Sequence, residues 1–150
     1  MKILYIADAG GHFSTEVSTY EKRLRGQVEW IRIRPVKHTE RAFVIKQETL
    51  KVLEILIKFR EKAYILDEFG KEYTTMEFSE KIQKNRDAGK EVIFVIGGSF
   101  GLDRDILKEY TEAYIGLSQF TLPHGLVLLV LSEQIYRMHE IWKGSKYHHE

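Results

Sequence analysis

The chain has 150 residues, no cysteine and a formal net charge of +1. Its length suits a single domain across residues 1–150 that buries a core without cross-links, and the absence of cysteine excludes disulfides and thiolate metal sites. Charged residues make up 30% of the chain and hydrophobic residues 43%, which is typical of a soluble globular protein, and the near-zero net charge excludes a strong overall field toward nucleic acid or acidic membranes.

The sequence contains neither a membrane-span pattern nor a secretion-signal pattern. The longest apolar run, residues 126–131, is far too short to cross a bilayer. Acidic residues and glycines follow the first apolar residues at once, which is not the pattern of a signal peptide. We therefore expect a cytoplasmic protein.

The first half of the chain alternates between strand and helix patterns. Short apolar or alternating runs predict strands, and apolar residues at helical spacing predict amphipathic helices. Ser14 is a candidate cap for the first helix. The predicted strands cover residues 2–7, 28–34 and 63–66, and the predicted helices cover residues 14–24 and 42–60.

One face of the strand predicted over residues 28–34 carries Trp30, Arg32 and Arg34, because strand side chains have a period of two. An aromatic ring with two guanidinium groups can stack a nucleobase and hold phosphates. The alternative is a solvated outer face on which a helix covers Trp30. The sequence leaves both interpretations open.

The second half of the chain continues the alternation. Thr74 and Glu77 form a capping-box pattern at the start of a helix that ends at Gly89. The next strand, residues 91–96, is almost continuously apolar, which is typical of a central parallel strand. A short helix over residues 103–110, a strand over residues 113–117 and a helix over residues 126–142 follow.

Strands that alternate with helices predict an α/β fold of the doubly wound type, with a parallel sheet flanked by helices. The last helix is apolar on more than one side, so we expect it to be covered twice, by the sheet and by a second subunit. Glu133 and Arg137 stand at i, i+4 on this helix and can form an ion pair.

A ligand crevice is predicted where two strands end, because open α/β sheets bind ligands at the carboxyl ends of their strands. The loops that follow are residues 97–101, Gly-Gly-Ser-Phe-Gly, and residues 118–124. Glycines allow close approach of a ligand to the backbone, although a plain tight turn explains the first loop equally well. Asp67 and Glu68 form a weaker alternative as an acid/base pair. The six histidines share no ligand spacing, so we expect no metal site.

Several motifs, in their order and spacing, resemble the ribosomal RNA large-subunit methyltransferase H family. This family lies in the SPOUT superfamily of trefoil-knotted methyltransferases. The resemblance is strongest in the last third of the chain, whereas residues 1–60 match only in pattern. The matching segments are residues 66–71 (LDEFGK), 96–102 (IGGSFGL), 117–124 (LSQFTLPH), 133–137 (EQIYR) and 147–148 (YH).

The resemblance implies a SPOUT-type fold with a C-terminal trefoil knot, an exception to the rule that chains do not thread. It also implies S-adenosylmethionine as cofactor, held in a cleft between the loops of the knot. The cofactor-binding residues implied by the matching motifs are Leu66, Gly97, Gly98, Gly101, Leu117, Ser118, Gln119, Phe120, Thr121 and Leu122.

The substrate implied by the resemblance is a pseudouridine in large-subunit ribosomal RNA, methylated at N3 by a homodimer in which the tail of one subunit completes the other's cleft. The N3 proton must leave, because a neutral imide nitrogen is a poor nucleophile, and a base with a pKa near neutrality suits that task. His148 is the candidate base, and Tyr147 would position the nucleobase or the RNA backbone. Arg137 would hold a phosphate or stabilise the developing oxyanion, with the ion pair to Glu133 as its alternative role.

The basic residues implied for RNA binding differ from the family pattern at two positions. Leu128 stands where the family commonly has Arg, and His149 stands where it has a basic residue after Tyr-His. Another departure is Gly125, in place of proline or a bulkier residue. Phosphate contacts set most of the affinity for RNA. The residues from which we expect RNA contacts are His124, Arg32, Arg34 and Lys146.

The near-neutral charge suits a substrate whose surface is partly protein, such as an assembled ribosome or large subunit. Two other functions remain open on the sequence alone. One is a catalytically weak relative of the same fold that binds RNA or ribosomes. The other is a small-molecule nucleotide-binding protein of the doubly wound type.

Overall fold

The computed structural model describes residues 1–148 and is built around a five-stranded, entirely parallel sheet. The strands are β1 (Lys2–Ile6), β2 (Glu29–Ile33), β3 (Ala63–Lys71), β4 (Ile93–Ile96) and β5 (Thr111–Ile115). Their order in the sheet is β2-β1-β4-β3-β5. The predicted α/β fold with a parallel sheet flanked by helices is confirmed.

The apolar strand β4 lies at the centre of the sheet, as its sequence predicts. All of its residues are buried, and Val95 pairs with Leu4 of β1 on one side and with Ile65 of β3 on the other. A strand that is covered on both faces and paired on both edges has no solvent-facing position, which accounts for its continuous apolar run.

Helices cover both faces of the sheet. They are α1 (Ser14–Arg23), α2 (Arg41–Leu56), α3 (Thr75–Asp87), α4 (Arg104–Leu107) and α5 (His124–Trp142), and a 3₁₀ turn, Lys108–Tyr110, follows α4. One apolar cluster joins the sheet to α1, α3 and α5, and another joins its opposite face to α2 and α4. Helices on both faces are the mark of the predicted doubly wound arrangement.

The helix starts agree with the sequence at α3 and differ at α1. The Thr74 hydroxyl accepts a hydrogen bond from the Glu77 N–H at 3.2 Å, and the Thr74 N–H donates to the Glu77 carboxylate at 2.8 Å, so the predicted capping box is confirmed. The prediction that Ser14 caps α1 is wrong. Phe13, whose backbone φ is 64°, stands at the cap position and makes no side-chain cap hydrogen bond. Ser14 is already the first helical residue, and its N–H donates to the Gly11 carbonyl of the preceding turn.

Several predicted bounds differ from the observed ones, because local hydrogen bonds set where an element ends. The structure ends α2 at Leu56 rather than at residue 60, since the following residues tighten into i, i+3 bonds. It begins β4 at Ile93 rather than at residue 91 and ends β5 at Ile115 rather than at residue 117.

Strand β3 is longer than the predicted strand over residues 63–66. Leu66 and Lys71 both pair with Ile115 of β5, so residues 67–70, which we call the excursion loop, are anchored at both ends. A Cβ atom on Gly70 would lie 2.4 Å from the carbonyl carbon of Ile115. The chain therefore passes β5 so closely here that a side chain does not fit.

Helix α5 buries one stripe against the sheet and keeps a second apolar side partly exposed. Leu128, Leu131 and Ile135 are buried, whereas Leu129 and Val130 are half-buried. The second cover expected for this helix, another subunit, stays a prediction. Across residues 1–148, no helix has the length and hydropathy needed to cross a membrane.

Candidate active site

The carboxyl ends of β4 and β5, together with residues 65–69 of the neighbouring strand β3, line a cleft of about 820 Å³. Its walls are the excursion loop, the glycine loop (residues 97–103, between β4 and α4) and residues 117–123 between β5 and α5. This is the edge of the sheet at which the sequence predicts the crevice. The cleft is lined by nine of the residues implied for the cofactor, namely Leu66, Gly97, Gly98, Gly101, Leu117, Ser118, Phe120, Thr121 and Leu122.

The glycine loop presents bare backbone to the cleft because side chains do not fit at its first two positions. A Cβ on Gly98 would lie 2.3 Å from Oε2 of Glu48, and a Cβ on Gly97 would lie 2.9 Å from Cγ of Leu102. The loop is closed by a hydrogen bond from the Gly101 N–H to the Gly98 carbonyl at 3.0 Å. A ligand can therefore approach the backbone closely here.

Polar contacts tie the three walls of the cleft together. Arg104 donates two hydrogen bonds, of 2.5 and 3.2 Å, to the Asp67 carboxylate, and this hydrogen bonding raises the pKa of Arg104. The Thr121 hydroxyl donates to Glu68 at 2.8 Å. Because the two adjacent carboxylates serve different partners, this arrangement gives no support to an acid/base pair formed by Asp67 and Glu68.

The mouth of the cleft is aromatic and basic. Phe69 and Phe120 are 82% and 80% exposed, and the Arg41 guanidinium lies 5.5 Å from the centre of the Phe100 ring. His124, the first residue of α5, has Nδ1 at 3.5 Å from the Ser99 hydroxyl. Exposed aromatic rings beside cations are the groups that stack and hold nucleotides.

A second polar group, which we call the tail cluster, consists of Glu133, Arg137, Tyr147 and His148. Arg137 donates to Oε1 of Glu133 through Nη2 at 2.7 Å and through Nε at 3.0 Å. The Tyr147 hydroxyl donates to the same oxygen at 3.4 Å, and Nη1 of Arg137 lies 3.5 Å from Nδ1 of His148. The structure thus brings together the three residues implied for catalysis.

The ionisation states of the tail cluster follow from these contacts. The hydrogen bond to Glu133 raises the pKa of Arg137, which keeps the guanidinium charged. Burial, and then the charge of Glu133, raises the pKa of Tyr147, so that its hydroxyl stays protonated and able to donate. The predicted ion pair between Glu133 and Arg137 is present, and it also fixes the guanidinium that faces His148.

The tail cluster and the cleft lie far apart within one chain. His124 begins α5 and lines the cleft, whereas Arg137 lies thirteen residues further along the same helix, roughly 20 Å along its axis. Arg137, Tyr147 and His148 are not part of the cleft lining. In a single chain, the residues implied for catalysis and those implied for cofactor binding therefore do not meet.

The remaining predicted site residues lie outside both groups. Gln119 is exposed and is not part of the cleft lining, and Lys146 is exposed in the tail. Arg32, on β2, and Arg34, just after that strand, are exposed at the sheet edge opposite β5. Trp30 packs against the core, in line with the alternative in which this face is a solvated outer face with Trp30 covered. His149 lies outside the described residues.

Sequence reasoning missed Glu48 and Thr49, which support the glycine loop from α2. Glu48 is 2% exposed, and the Thr49 hydroxyl accepts a hydrogen bond from the Asp103 N–H at 2.8 Å. The available signal was the helical spacing of Val44, Glu48 and Val52, which puts a carboxylate in the middle of a buried apolar stripe.

Metal ligands do not cluster in the part of the chain that the structure describes. Residues 1–148 contain no group of three or more His, Cys, Asp or Glu side chains that could hold a metal ion.

Comparison with known protein families identifies the family of this chain. The family described as "Predicted SPOUT methyltransferase" matches residues 1–148. The chain belongs to the SPOUT methyltransferase family. In agreement, a crystal structure of a Bacillus anthracis protein, described as a candidate RNA methyltransferase, aligns with 99% of each chain at a TM-score of 0.58. At 14% identity this likeness concerns the fold alone.

Curated relatives are similar to the chain over nearly its whole length. A ribosomal RNA large subunit methyltransferase H from an Anaeromyxobacter species is 34% identical over 143 residues, which cover 94% of this chain and 93% of the relative. The enzyme of the same name from Lactiplantibacillus plantarum is 37% identical over 145 residues, 91% of each chain. The membership of this family that the sequence motifs suggest is confirmed.

Proposed function

We propose that this protein transfers a methyl group from S-adenosylmethionine to N3 of a pseudouridine in large-subunit ribosomal RNA, acting on the assembled ribosome as a homodimer. The observation that supports the proposal most strongly is that three of the five matching motifs, residues 66–71, 96–102 and 117–124, contribute to the lining of one cleft. They come from three separate segments and lie together around the carboxyl ends of β4 and β5 and along the neighbouring strand β3. Relatives that share most of the chain are named as methyltransferases of large-subunit ribosomal RNA.

The cleft suits the proposed cofactor in size and in chemistry. Its volume of about 820 Å³ lies within the range of small-molecule sites. Leu66, Leu117 and Leu122 offer apolar walls for an adenine ring, and Gly98 presents only backbone to the cleft, because a Cβ there would collide with the Glu48 carboxylate. Backbone groups of the glycine loop would contact the polar parts of the ligand.

When bound, S-adenosylmethionine supplies a methyl group activated by its positive sulfur. The protein's share of the chemistry is to align the uracil nitrogen, exclude water and remove the N3 proton. His148 would accept that proton, and Arg137 would stabilise the negative charge that develops on the uracil oxygens. Tyr147, which keeps its proton, would hold the nucleobase or the RNA backbone by hydrogen bonding.

A homodimer would bring the two separated groups together. Within one chain, Arg137 lies ten residues beyond Val127, the last residue of α5 that lines the cleft, which is roughly 15 Å along the helix axis. Helix α5 also keeps a partly exposed apolar side. If two chains pack through that side, the tail cluster of each can reach the cleft of the other. The distance inside a single chain supports this arrangement, since the proposed base otherwise has no access to the proposed methyl donor.

The RNA would approach the mouth of the cleft. Phe69, Phe120 and Arg41 offer stacking and cationic surfaces there, with His124 beside them. Lys146 would add charge near the tail cluster, and Arg32 and Arg34 would contact more distant phosphates. The small net charge of +1 supports a ribosomal particle as the substrate rather than naked RNA.

The deciding experiment is transfer of an isotope-labelled methyl group from S-adenosylmethionine to ribosomes that lack the modification, with the product nucleoside identified by mass spectrometry. We expect N3-methylpseudouridine on whole ribosomes and much less product on naked ribosomal RNA fragments. Equal activity on both substrates would contradict the assembled ribosome as substrate. Binding of cofactor and ribosomes without transfer would instead favour a catalytically weak RNA-binding relative.

A further inference from the structure

Glu48 is a buried carboxylate that the proposed reaction does not use. It lies on α2 between Val44 and Val52 in the buried stripe of that helix, and it is 2% exposed. Its Oε1 accepts a hydrogen bond from the Val36 N–H at 3.0 Å. Its Oε2 is buried and has no hydrogen-bond partner among residues 1–148. A carboxylate oxygen buried without a donor destabilises a fold, so its presence requires an explanation.

The free oxygen of Glu48 points at the glycine loop from behind. A Cβ built on Gly98 would lie 2.3 Å from Oε2 and 3.1 Å from Cδ, so only the glycine backbone separates this carboxylate from the cleft. None of the ion pairs among residues 1–148 involves Glu48. No basic side chain among residues 1–148 therefore lies within ion-pair distance of this carboxylate.

Most other charged side chains of the cleft already have partners. Arg104 is paired with Asp67, and the Asp103 carboxylate accepts the backbone N–H groups that begin α4. Glu68 accepts the hydroxyl of Thr121. Beneath the cleft floor, Glu48 thus places a carboxyl group in a region shielded from water, where electrostatic interactions are weakly screened.

We infer that Glu48 is a positioning residue whose charge makes the cleft prefer the cationic methyl donor over its neutral product. This inference rests on the proposed function. S-adenosylmethionine carries a positive sulfur, whereas S-adenosylhomocysteine, which remains after transfer, has an uncharged thioether. A buried anion behind Gly98 attracts the first and leaves the second unaffected by that attraction. Glu48 would thereby favour loading of the donor and release of the product.

Thr49 supplies the matched comparison, because it supports the same loop without charge. Its hydroxyl oxygen accepts the Asp103 N–H at 2.8 Å and donates to the Ile45 carbonyl at 2.6 Å. A change at Thr49 should alter the shape of the glycine loop and weaken both ligands by the same factor. A change at Glu48 that keeps its shape should affect only the charged ligand.

The test is isothermal titration calorimetry of both ligands with the wild-type protein and with E48Q, T49V and E54Q. Glutamine keeps the acceptor for Val36 and the size of the side chain. We expect E48Q to weaken S-adenosylmethionine binding roughly tenfold and to leave S-adenosylhomocysteine binding within about twofold. The Kd of S-adenosylhomocysteine divided by the Kd of S-adenosylmethionine should therefore fall. T49V should leave that ratio unchanged, and E54Q, on the exposed side of α2, should change neither value.

An equal loss of both ligands in E48Q would overturn the inference and leave Glu48 as a support of the loop. If the wild-type protein binds neither ligand, the proposed function fails and this inference fails with it, which is a distinct outcome. Should E48Q not fold, E48D provides the second test. Aspartate keeps the carboxylate but, with its shorter side chain, holds it further from Gly98. The Kd of S-adenosylhomocysteine divided by that of S-adenosylmethionine should then fall by a smaller factor than in E48Q. An unchanged ratio in E48D would overturn the inference.

Discussion

The cleft and the tail cluster differ in the chemical groups from which they are built. The cleft is made of backbone and apolar side chains on three loops, and its shape depends on glycines that admit no Cβ. The tail cluster is made of charged and polar side chains that meet on one oxygen of Glu133. The first is suited to bind a small molecule, and the second to handle protons and negative charge.

Within one chain, the cleft and the residues proposed for catalysis are separate. Arg137, Tyr147 and His148 are not among the residues that line the cleft. Both regions depend on α5, which begins at one and carries the other. Variants that damage one region should therefore leave the function of the other intact, and this separation can be tested.

The largest effect is expected from the tail cluster. H148A and R137A should lower the rate of methyl transfer about a thousandfold, because they remove the proposed base and the group that stabilises the oxyanion. The Kd of S-adenosylmethionine should stay within about twofold of the wild-type value, since neither residue lines the cleft. Single-turnover kinetics and calorimetry measure the two quantities. K143A, just beyond the same helix, is the control. A tenfold weaker cofactor affinity in H148A would contradict the proposal that the tail cluster and the cofactor cleft act separately.

The converse change is G98A in the cleft. The added Cβ would lie 2.3 Å from Glu48, so the loop must move, and cofactor binding should weaken about a hundredfold. G11A is the matched control, because its Cβ would meet only the Asp8 carbonyl at an ordinary 3.5 Å. Circular dichroism verifies that both variants fold. Wild-type cofactor affinity in a folded G98A would show that the glycine loop does not hold the ligand.

Mixing the two kinds of variant tests whether the site is shared between subunits. G98A has an intact tail cluster and R137A has an intact cleft, so one site of a mixed dimer would be wild-type in both parts. Equimolar mixing after subunit exchange should restore about a quarter of the wild-type activity. The assay is methyl transfer before and after exchange. Activity that stays at the level of the separate variants would contradict a site formed across a dimer.

A further effect concerns the stability of the fold in acid, through a buried histidine on the helix that carries the tail cluster. Burial, and then the charge of Arg86, lowers the pKa of His139 to about 4. Since its ordinary pKa is about 6.5, the unfolded chain takes up the proton first on acidification. The free energy of unfolding should therefore be highest above pH 6.5 and should fall by up to about 3 kcal/mol as the pH drops to 4.

Urea unfolding of H139Q at pH 5 and pH 7 measures this contribution. The difference between the two pH values should be smaller in H139Q than in the wild-type protein, while H12Q, at an exposed position, should behave as the wild type. A difference that persists undiminished in H139Q would assign the acid sensitivity to other groups.

The regular parts of this fold could be predicted because their signals are local. The continuous apolar run of β4 and the Thr74–Glu77 capping box depend on residues close in sequence. The path of residues 67–71 could not be predicted. Lys71 belongs to β3 only because it pairs again with Ile115, and a contact between residues so far apart in sequence leaves no periodic pattern.

The candidate site shows the same division. Leu66, Gly98 and Leu117 were found through motifs, because the family resemblance depends on contiguous segments. Glu48 was missed, because its importance comes from the loop that it faces in space. A carboxylate within an apolar helical stripe was the available signal, and it indicates a buried charge without naming its neighbour.

Because the excursion loop is anchored at both ends, little conformational entropy is lost when a partner binds to it. Both of its ends are fixed on Ile115, so residues 67–70 have few conformations to lose when something binds. Phe69, 82% exposed, projects from this short closed segment. A nucleobase that stacks on Phe69 would meet a ring whose backbone is already immobilised, and most of the stacking energy would then appear as affinity.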